Sequence, residues 1–316
     1  MEKSLLLEAY LKQLRLPAVS RHYQEVARQA VQGNLPYEAF LLALVELEAQ
    51  QREENAHQKR LRQARFPVVK TLDQFDFTCM PSLNKAKVLS LAQGEYLERH
   101  ENLILMGNRG TGKTHLATAL GLLACQQGKK VRFLTAAGLI NHLAEAQAAL
   151  RLSHLERSLA QMDLLIIDEV GYVPFSEKGS QLFFQVVAQS YERQSLIITT
   201  NLEFSQWPQV LGSEQLTGAL LDRLTHHAHI LAMNGESFRF REYEEGAGKV
   251  RQVRSRGFHA GHLIKVGGTG SAMEASLGRW ELGSANQGER RPALHKVGAG
   301  GRRSLAPAGG CLIGDY

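Results

Sequence analysis

The chain has 316 residues, of which 44% are hydrophobic and 22% charged, and its formal net charge at pH 7 is +6. This composition excludes a wholly disordered chain, and the length suits about two domains. The longest apolar run, residues 39–45, is far shorter than the ~20 residues that a membrane span requires. The three cysteines are too widely spaced for a disulfide framework or a Cys-x-x-Cys metal clip. We therefore expect a cytoplasmic protein with no membrane partner.

The positive charge is confined to the end of the chain. Residues 1–246 contain 26 Lys and Arg against 27 Asp and Glu, whereas residues 247–316 contain 11 against 4. The last segment is rich in glycine and has no hydrophobic periodicity, so it cannot bury enough surface to offset the entropy of ordering. We expect residues 247–316 to form a disordered, Gly- and Arg-rich tail.

The first 66 residues have helical hydrophobic spacing. The pattern over residues 5–65 predicts three or more short helices, the last at 51–65, and Phe66-Pro67 marks a boundary because the residue before proline avoids the helical region. Residues 1–66 are thus predicted to be a small all-helical domain that binds DNA or a partner. The basic residues within 52–70 could follow a phosphate backbone, although a solvated helix face explains them equally well.

Residues 67–246 have the pattern of an α/β domain. A connector at 67–100 contains one predicted helix, Leu83–Glu98. Short apolar strands then alternate with helices, which is typical of a parallel sheet flanked by helices. The predicted strands are at 103–106, 131–134, 164–167, 196–198 and 230–233, and the predicted helices at 113–127, 139–150 and 179–193.

A phosphate-binding motif lies between the first predicted strand and the helix after it. Residues 107–114 read Gly-Asn-Arg-Gly-Thr-Gly-Lys-Thr and fit G-x-x-x-x-G-K-[ST] in full. Backbone N–H groups of such a loop point at phosphates, the lysine reaches the β- and γ-phosphates, and the final hydroxyl binds Mg²⁺. ATP and Mg²⁺ are the predicted cofactors. The predicted nucleotide-contacting residues are Gly107, Asn108, Arg109, Gly110, Thr111, Gly112, Lys113, Thr114 and His115.

Polar residues follow the third and fourth predicted strands. Asp168 is expected to hold Mg²⁺ through water together with Thr114, and Glu169 to orient and deprotonate the attacking water. Asn201 follows the next strand. Since the carboxyl ends of parallel strands share one edge, Asn201 should lie beside Asp168 and sense the γ-phosphate, unless it only forms a turn.

An arginine and three histidines come late in the chain. Arg223, on a predicted helix, could be an arginine finger offered to a neighbouring subunit's nucleotide or a surface residue paired with Asp222. The finger interpretation depends on the predicted site having no cation of its own besides Lys113 and Mg²⁺. His226, His227 and His229 have no nearby carboxylate or cysteine in the sequence to complete a metal site, so packing or surface roles are expected.

Taken together, these motifs resemble those of the IstB-type transposition helper ATPases, which are AAA+ relatives of the DnaC helicase loader. The resemblance covers about residues 5–245 and includes the connector at 64–77 and the ending at 235–239. It rests on the segments 107–114, 168–172, 200–202 and 220–230. It implies an AAA+ P-loop fold in which the strand of Asp168 is not adjacent to the phosphate-loop strand. It also implies that Arg223 is a finger acting in trans and Asn201 a sensor.

The same resemblance implies partners. They are double-stranded DNA, which is deformed on binding, further copies of the chain in an ATP-dependent oligomer, and the transposase encoded by the same element. DNA-stimulated ATP hydrolysis is the implied activity. A helicase loader and an ATP-gated scaffold with little turnover are alternatives. The chain departs from the family at Asn108-Arg109, where small residues or proline are usual, and in the tail at 247–316.

Overall fold

The computed structural model describes residues 2–235, 237 and 238, so the tail predicted at 247–316 lies outside the described residues. Within them, five parallel strands form one sheet in the order β2-β3-β4-β1-β5. The strands are β1 (Asn102–Met106), β2 (Val131–Thr135), β3 (Leu164–Val170), β4 (Ser195–Thr200) and β5 (Ala228–Ala232). The predicted parallel α/β sheet is confirmed. Strand β4 separates β3, which carries Asp168, from β1, as the resemblance implied.

The helices depart from the sequence prediction in three ways. The long α3 is a single helix of 28 residues, the predicted helix at 83–98 breaks at Gly94 (φ 84°), and α8 and α10 were not predicted. Left-handed backbone ends a helix, and glycine adopts it without strain. The helices are α1 (Glu2–Gln13), α2 (Pro17–Gln32), α3 (Tyr37–Ala64), α4 (Lys85–Ala92), α5 (Glu95–Glu98), α6 (Lys113–Gln126), α7 (Ala136–Ala148), α8 (Leu152–Ala160), α9 (Glu177–Ser190), α10 (Trp207–Leu211) and α11 (Glu214–Thr225).

Both faces of the sheet are covered. Successive strand residues point to opposite faces, so Leu103 and Leu105 pack in one hydrophobic cluster with α4 and α6, whereas Ile104 packs in the other with α7, α9 and α11. Because both faces of the sheet are covered, the strand sequences are continuous apolar runs. No helix in the described part of the chain is long and apolar enough to cross a membrane.

Helix α3 belongs to two parts of the structure. Its first half packs with α1 and α2 around a small core of Leu11, Val19 and Leu44. Its second half lies on the α/β part of the structure, where the Arg60 Nε donates to the Cys125 carbonyl at 2.9 Å and the Arg132 Nη1 donates to the Gln63 carbonyl at 3.0 Å. The helix therefore runs without a break through both parts, and a domain boundary at residue 66 stays a prediction.

A buried carboxylate stabilises the start of α2, which has no side-chain cap of its own. Glu48 of α3 is 4% exposed, and its Oε2 accepts the amides of Ala18 at 2.8 Å and Val19 at 3.3 Å. Burial alone would raise the pKa of Glu48. The bonds from Ala18, Arg52 and Val19 favour the charged form and outweigh burial, so its pKa lies below the usual value. Glu48 thus acts as a helix cap supplied from another helix.

Replacing Glu48 with alanine should destabilise the N-terminal helices. Each buried amide left without an acceptor costs about 1–3 kcal/mol of unfolding free energy. Because the folded pKa is depressed, the stabilisation is complete above the unfolded value of ~4.3 and is lost as the pH falls through the folded pKa. Hydrogen exchange of the α2 amides, measured across that range, checks both effects. Glu46→Ala, an exposed position on the same helix, is the control and should change nothing.

Candidate nucleotide-binding site

A cleft of about 830 Å³ opens at the carboxyl edge of the sheet. The loop after β1, the ends of β3 and β4 and the connector before α4 form its walls. Its lining residues include Pro67, Val68, Lys70, Phe75, Met80, Arg109, Gly110, Thr111, Gly112, Lys113, Thr114, His115, Glu169, Tyr172, Thr199, Asn201 and Phe238. Most of the residues predicted to contact nucleotide therefore lie around one cavity.

Two glycines of the predicted phosphate loop are required by the local backbone. A Cβ on Gly107 would lie 2.1 Å from the Met233 carbonyl oxygen, so only glycine allows β1 to turn beside the residue after β5. Gly112 precedes α6 with φ 83°, and a Cβ there would meet the Phe75 ring at 2.9 Å. The loop thus leads directly into the N-terminus of α6, where backbone N–H groups and the helix dipole favour an anion.

The Lys113 side chain folds back over the loop. Its Nζ donates to the carbonyls of Gly107 at 2.7 Å and Asn108 at 2.6 Å. Burial lowers the pKa of Lys113, and the carboxylates of Asp168 and Glu169 offset part of that effect. The ammonium group is held at the mouth of the loop, next to the position where the motif predicts phosphates.

Thr114 and Asp168 meet although they are 54 residues apart. The Thr114 hydroxyl lies 3.0 Å from both carboxylate oxygens of Asp168. Thr199, on β4, donates its hydroxyl to Asp168 Oδ1 and accepts the Glu169 amide at 2.9 Å. A hydroxyl beside a carboxylate is the oxygen donor set that Mg²⁺ prefers, so these residues fit the predicted metal.

Glu169 lies at an irregularity of β3. Its φ of 61° is unusual for a residue other than glycine, and the register between β3 and β4 shifts between Ile167 and Val170. The shift leaves Asp168 buried and Glu169 exposed, with its side chain lining the cleft. Backbone strain of this kind is often concentrated at functional positions. Asn201, just after β4, lines the same cleft, and its role as a sensor stays a prediction.

Thr199 is a residue that sequence reasoning missed, because a threonine inside a strand has no distinguishing pattern. Removing its hydroxyl in Thr199→Val should lower ATP turnover or Mg²⁺ affinity about 10–100-fold, the usual effect of losing a group that orients a metal ligand. Thr199→Ser keeps the hydroxyl and should restore most of the loss. Steady-state turnover against Mg²⁺ concentration measures the effect, and equal curves for Thr199→Val and the parent would contradict it.

The connector supplies a wall that the sequence did not predict. Phe75 is buried, packs edge-on against His115 with ring centres 5.3 Å apart, and lines the cleft with Met80. His115 Nε2 lies 2.9 Å from the Thr71 carbonyl and ties the connector to α6. The signal available in the sequence was the resemblance of residues 64–77 to the connector of the helper ATPases.

The expectation that the site has no cation besides Lys113 and Mg²⁺ is wrong. Lys70 of the connector and Arg109 of the phosphate loop also line the cleft. The Arg109 guanidinium lies over the ring of Tyr172, 4.8 Å from its centre. The motif fixes the backbone at position 109, whereas the direction of the side chain depends on the surrounding structure.

Arg223 does not line the cleft. It lies on α11, where its Nη1 donates to the Ala219 carbonyl at 2.7 Å and its guanidinium lies 5.1 Å from the centre of the Phe184 ring. The described ion pairs include none between Arg223 and Asp222. Within one chain, the structure therefore does not bring Arg223 to the other predicted site residues.

The late histidines do have carboxylates nearby, which corrects the sequence argument. His229 Nε2 lies 2.7 Å from Glu101 Oε2. His226 and His227 lie next to Glu192, and one donor atom from each of the three falls within 4.8 Å of the others. All three are exposed, and His226 Nδ1 is 2.9 Å from the Tyr191 hydroxyl. They form a surface cluster beyond the end of α11.

The strand order, the glycine loop leading into α6 and the paired Thr114 and Asp168 define a P-loop NTPase fold of the AAA+ type. The model of the IstB-like ATP binding protein family matches residues 9–246. The chain belongs to this family.

The chain is also similar to one solved structure and to proteins of insertion sequences. The crystal structure of the DnaC helicase loader is 20% identical, with a TM-score of 0.41, over 46% of this chain and 86% of that chain. A protein of insertion sequence IS21 from Pseudomonas aeruginosa, named as ATP-binding, is 40% identical over 75% of this chain and 89% of its own length. A protein of insertion sequence IS5376 from Geobacillus stearothermophilus, also named as ATP-binding, is 35% identical over 75% of this chain and 94% of its own length. The relatives place the family in bacterial insertion sequences.

Proposed function

We propose that this protein is an ATP-dependent helper of transposition, which assembles on double-stranded DNA and recruits or stimulates the transposase of its element. The observation that carries the proposal is that Lys113, Thr114 and Glu169 line one cleft, with Asp168 buried 3.0 Å from the Thr114 hydroxyl, in a chain of an insertion-sequence ATP-binding family. The cytoplasmic location stays a prediction from the sequence.

The proposed reaction is hydrolysis of ATP. Lys113 leaves the carbonyls of its own loop and binds the β- and γ-phosphates, and the backbone N–H groups before α6 hold the phosphates. Thr114 and Asp168 would hold Mg²⁺, which neutralises phosphate charge when bound. Glu169 accepts a proton from water, the water oxygen bonds to the γ-phosphorus, and the bond to the β-phosphate oxygen breaks, which yields ADP and phosphate. Asn201 helps to position the water.

The connector provides the proposed binding surface for the adenine base. Phe75, Met80 and Val68 add apolar surface beside the polar phosphate loop, the usual composition of a nucleotide cleft. Because His115 ties the connector to α6, a bound base contacts a segment that leads directly to α3. The nucleotide can thereby influence the N-terminal helices.

The proposed DNA contact lies on the second half of α3 and beyond it. Arg52 and Arg60 have intramolecular partners there. Exposed basic side chains remain at Lys59, Arg62, Arg65 and Lys70. Burial lowers the pKa of Arg132, and the neighbouring Arg65 lowers it further, so positive charge is concentrated there. A phosphate backbone would relieve this repulsion and release counterions.

The test compares Lys113→Ala with the parent. Loss of the ammonium group should abolish ATP binding and, with it, ATP-dependent assembly on duplex DNA. Nucleotide binding, sizing with and without ATP, and turnover against added duplex measure this. Lys87→Ala, which removes an exposed lysine of α4, is the control. Assembly on DNA without turnover would indicate an ATP-gated scaffold, and a parent that binds no duplex DNA would contradict the proposal.

A further inference from the structure

Arg109 brings a guanidinium to the nucleotide cleft from within the phosphate loop. The side chain is exposed, and its Cζ lies 4.8 Å from the centre of the Tyr172 ring. Both residues line the cleft. The backbone of position 109 is set by the loop, but the direction of the side chain is set by Tyr172, which belongs to a different loop.

The position of Tyr172 locates this cation at one end of the cleft. The Tyr172 amide donates to the Glu169 carbonyl at 3.3 Å in a tight turn after β3. Gly171 lies within the turn with φ 95°, and a Cβ there would be 2.6 Å from Leu202 Cδ1. The turn is therefore packed against the loop that carries Asn201. Through its contact with Tyr172, Arg109 lies beside the turn that begins at Glu169 and packs against the loop of Asn201, the two residues that would act on water.

We propose that Arg109 binds the γ-phosphate of ATP in the same subunit, and that the Tyr172 ring holds its guanidinium ready at that end of the cleft. The inference deepens the proposed function, because it rests on ATP as the ligand of the cleft. A cation over an exposed aromatic ring is held weakly. A terminal phosphate accepts two charge-assisted hydrogen bonds from the planar guanidinium. Replacing the ring contact by these bonds therefore favours binding of the nucleotide.

This role differs from that of a finger in trans. Arg109 is four residues before Lys113 in the same loop, so its charge is available without a second subunit. The positive charge of Arg109 stabilises the negative charge that develops on the γ-phosphate during hydrolysis. It also distinguishes a triphosphate from a diphosphate, because ADP has no group at that position.

The first test uses single variants at saturating ATP. Arg109→Ala should lower kcat about 100-fold, the usual loss for one group that stabilises developing charge. It should also reduce the preference for a non-hydrolysable triphosphate over ADP about tenfold, as measured by calorimetry. Arg109→Lys keeps a positive charge but not the planar guanidinium, so it should recover part of kcat and part of the preference for the triphosphate. Tyr172→Ala should reproduce part of the loss, and Tyr172→Phe, which keeps the ring, should restore most of it.

The second test decides between cis and trans. A mixture of Arg109→Ala with Lys113→Ala should stay inactive, because every site then lacks one cation of its own loop. Recovered activity in that mixture would show that Arg109 serves a neighbour and would overturn the proposal. So would an Arg109→Ala protein with parental turnover and parental preference for the triphosphate. If the parent binds ATP but does not hydrolyse it, the proposal is tested by the effect of Arg109→Ala on the preference for a triphosphate over ADP. If the parent binds no ATP, both this inference and the proposed function fail.

Discussion

Replacing Glu169 with glutamine is expected to lower kcat for ATP hydrolysis about 10²–10⁴-fold, the usual contribution of a positioned general base. The amide has the same shape as the carboxylate but cannot accept the proton of the attacking water. Since the Glu169 backbone amide is held by Thr199, the loop should keep its geometry, and ATP should bind about as tightly as in the parent. The protein should therefore accumulate in its ATP-bound, assembled form on DNA.

Two controls make this result specific. Glu177→Gln removes an exposed carboxylate from the first turn of α9, outside the cleft, and should leave turnover unchanged. Calorimetric binding of ATP separates loss of chemistry from loss of binding. A Glu169→Gln protein that turns over ATP at the parental rate would show that another group, or bulk water, takes the proton.

Replacing Arg223 with alanine is expected to have an equal or larger effect, but only through the assembled protein. An arginine supplied across a subunit interface is worth about 10³–10⁵ in turnover. In the isolated chain Arg223 contacts the Ala219 carbonyl and the Phe184 ring, away from the cleft. The variant should therefore bind ATP about as well as the parent and hydrolyse it poorly.

Mixing variants tests whether the site is shared. Arg223→Ala combined with Lys113→Ala should recover activity, because at an interface between them one subunit gives the finger and the other the intact phosphate loop. Arg157→Ala is the matched control: that guanidinium also donates to the carbonyl four residues earlier on its helix. If the mixture co-assembles and stays inactive, Arg223 has no role at a neighbour's site. The role of Arg109 is tested separately, by the mixture of Arg109→Ala with Lys113→Ala.

The presence of Arg109 changes the argument for the finger. The sequence suggested that the site needed a second cation from outside, whereas the structure has Arg109 and Lys70 at the cleft. A finger is then required only if the cations of the same chain, Lys113, Lys70 and Arg109, are insufficient. Comparing the turnover of Arg109→Ala and Arg223→Ala, each against the double variant, measures how much each of the two side chains contributes to ATP turnover.

The sequence by itself determined the features that depend on local spacing. Apolar runs alternating with helices predicted a parallel sheet, and the motif at residues 107–114 predicted the phosphate loop. Asp168 and Glu169 were found because they directly follow a buried run. The strand separating β3 from β1 came from the family resemblance and is confirmed.

Only the tertiary structure decided which distant groups meet. Thr199 reaches Asp168 across 31 residues, and Glu48 caps α2 across 30. Gly94 breaks a helix that the hydrophobic pattern predicted to be continuous. The Arg109 side chain points to Tyr172 because the turn after β3 places a ring there. Hydrophobic periodicity records which face of an element is buried, but hydrogen bonds and ring contacts depend on the packing of elements far apart in the chain, which no local pattern encodes.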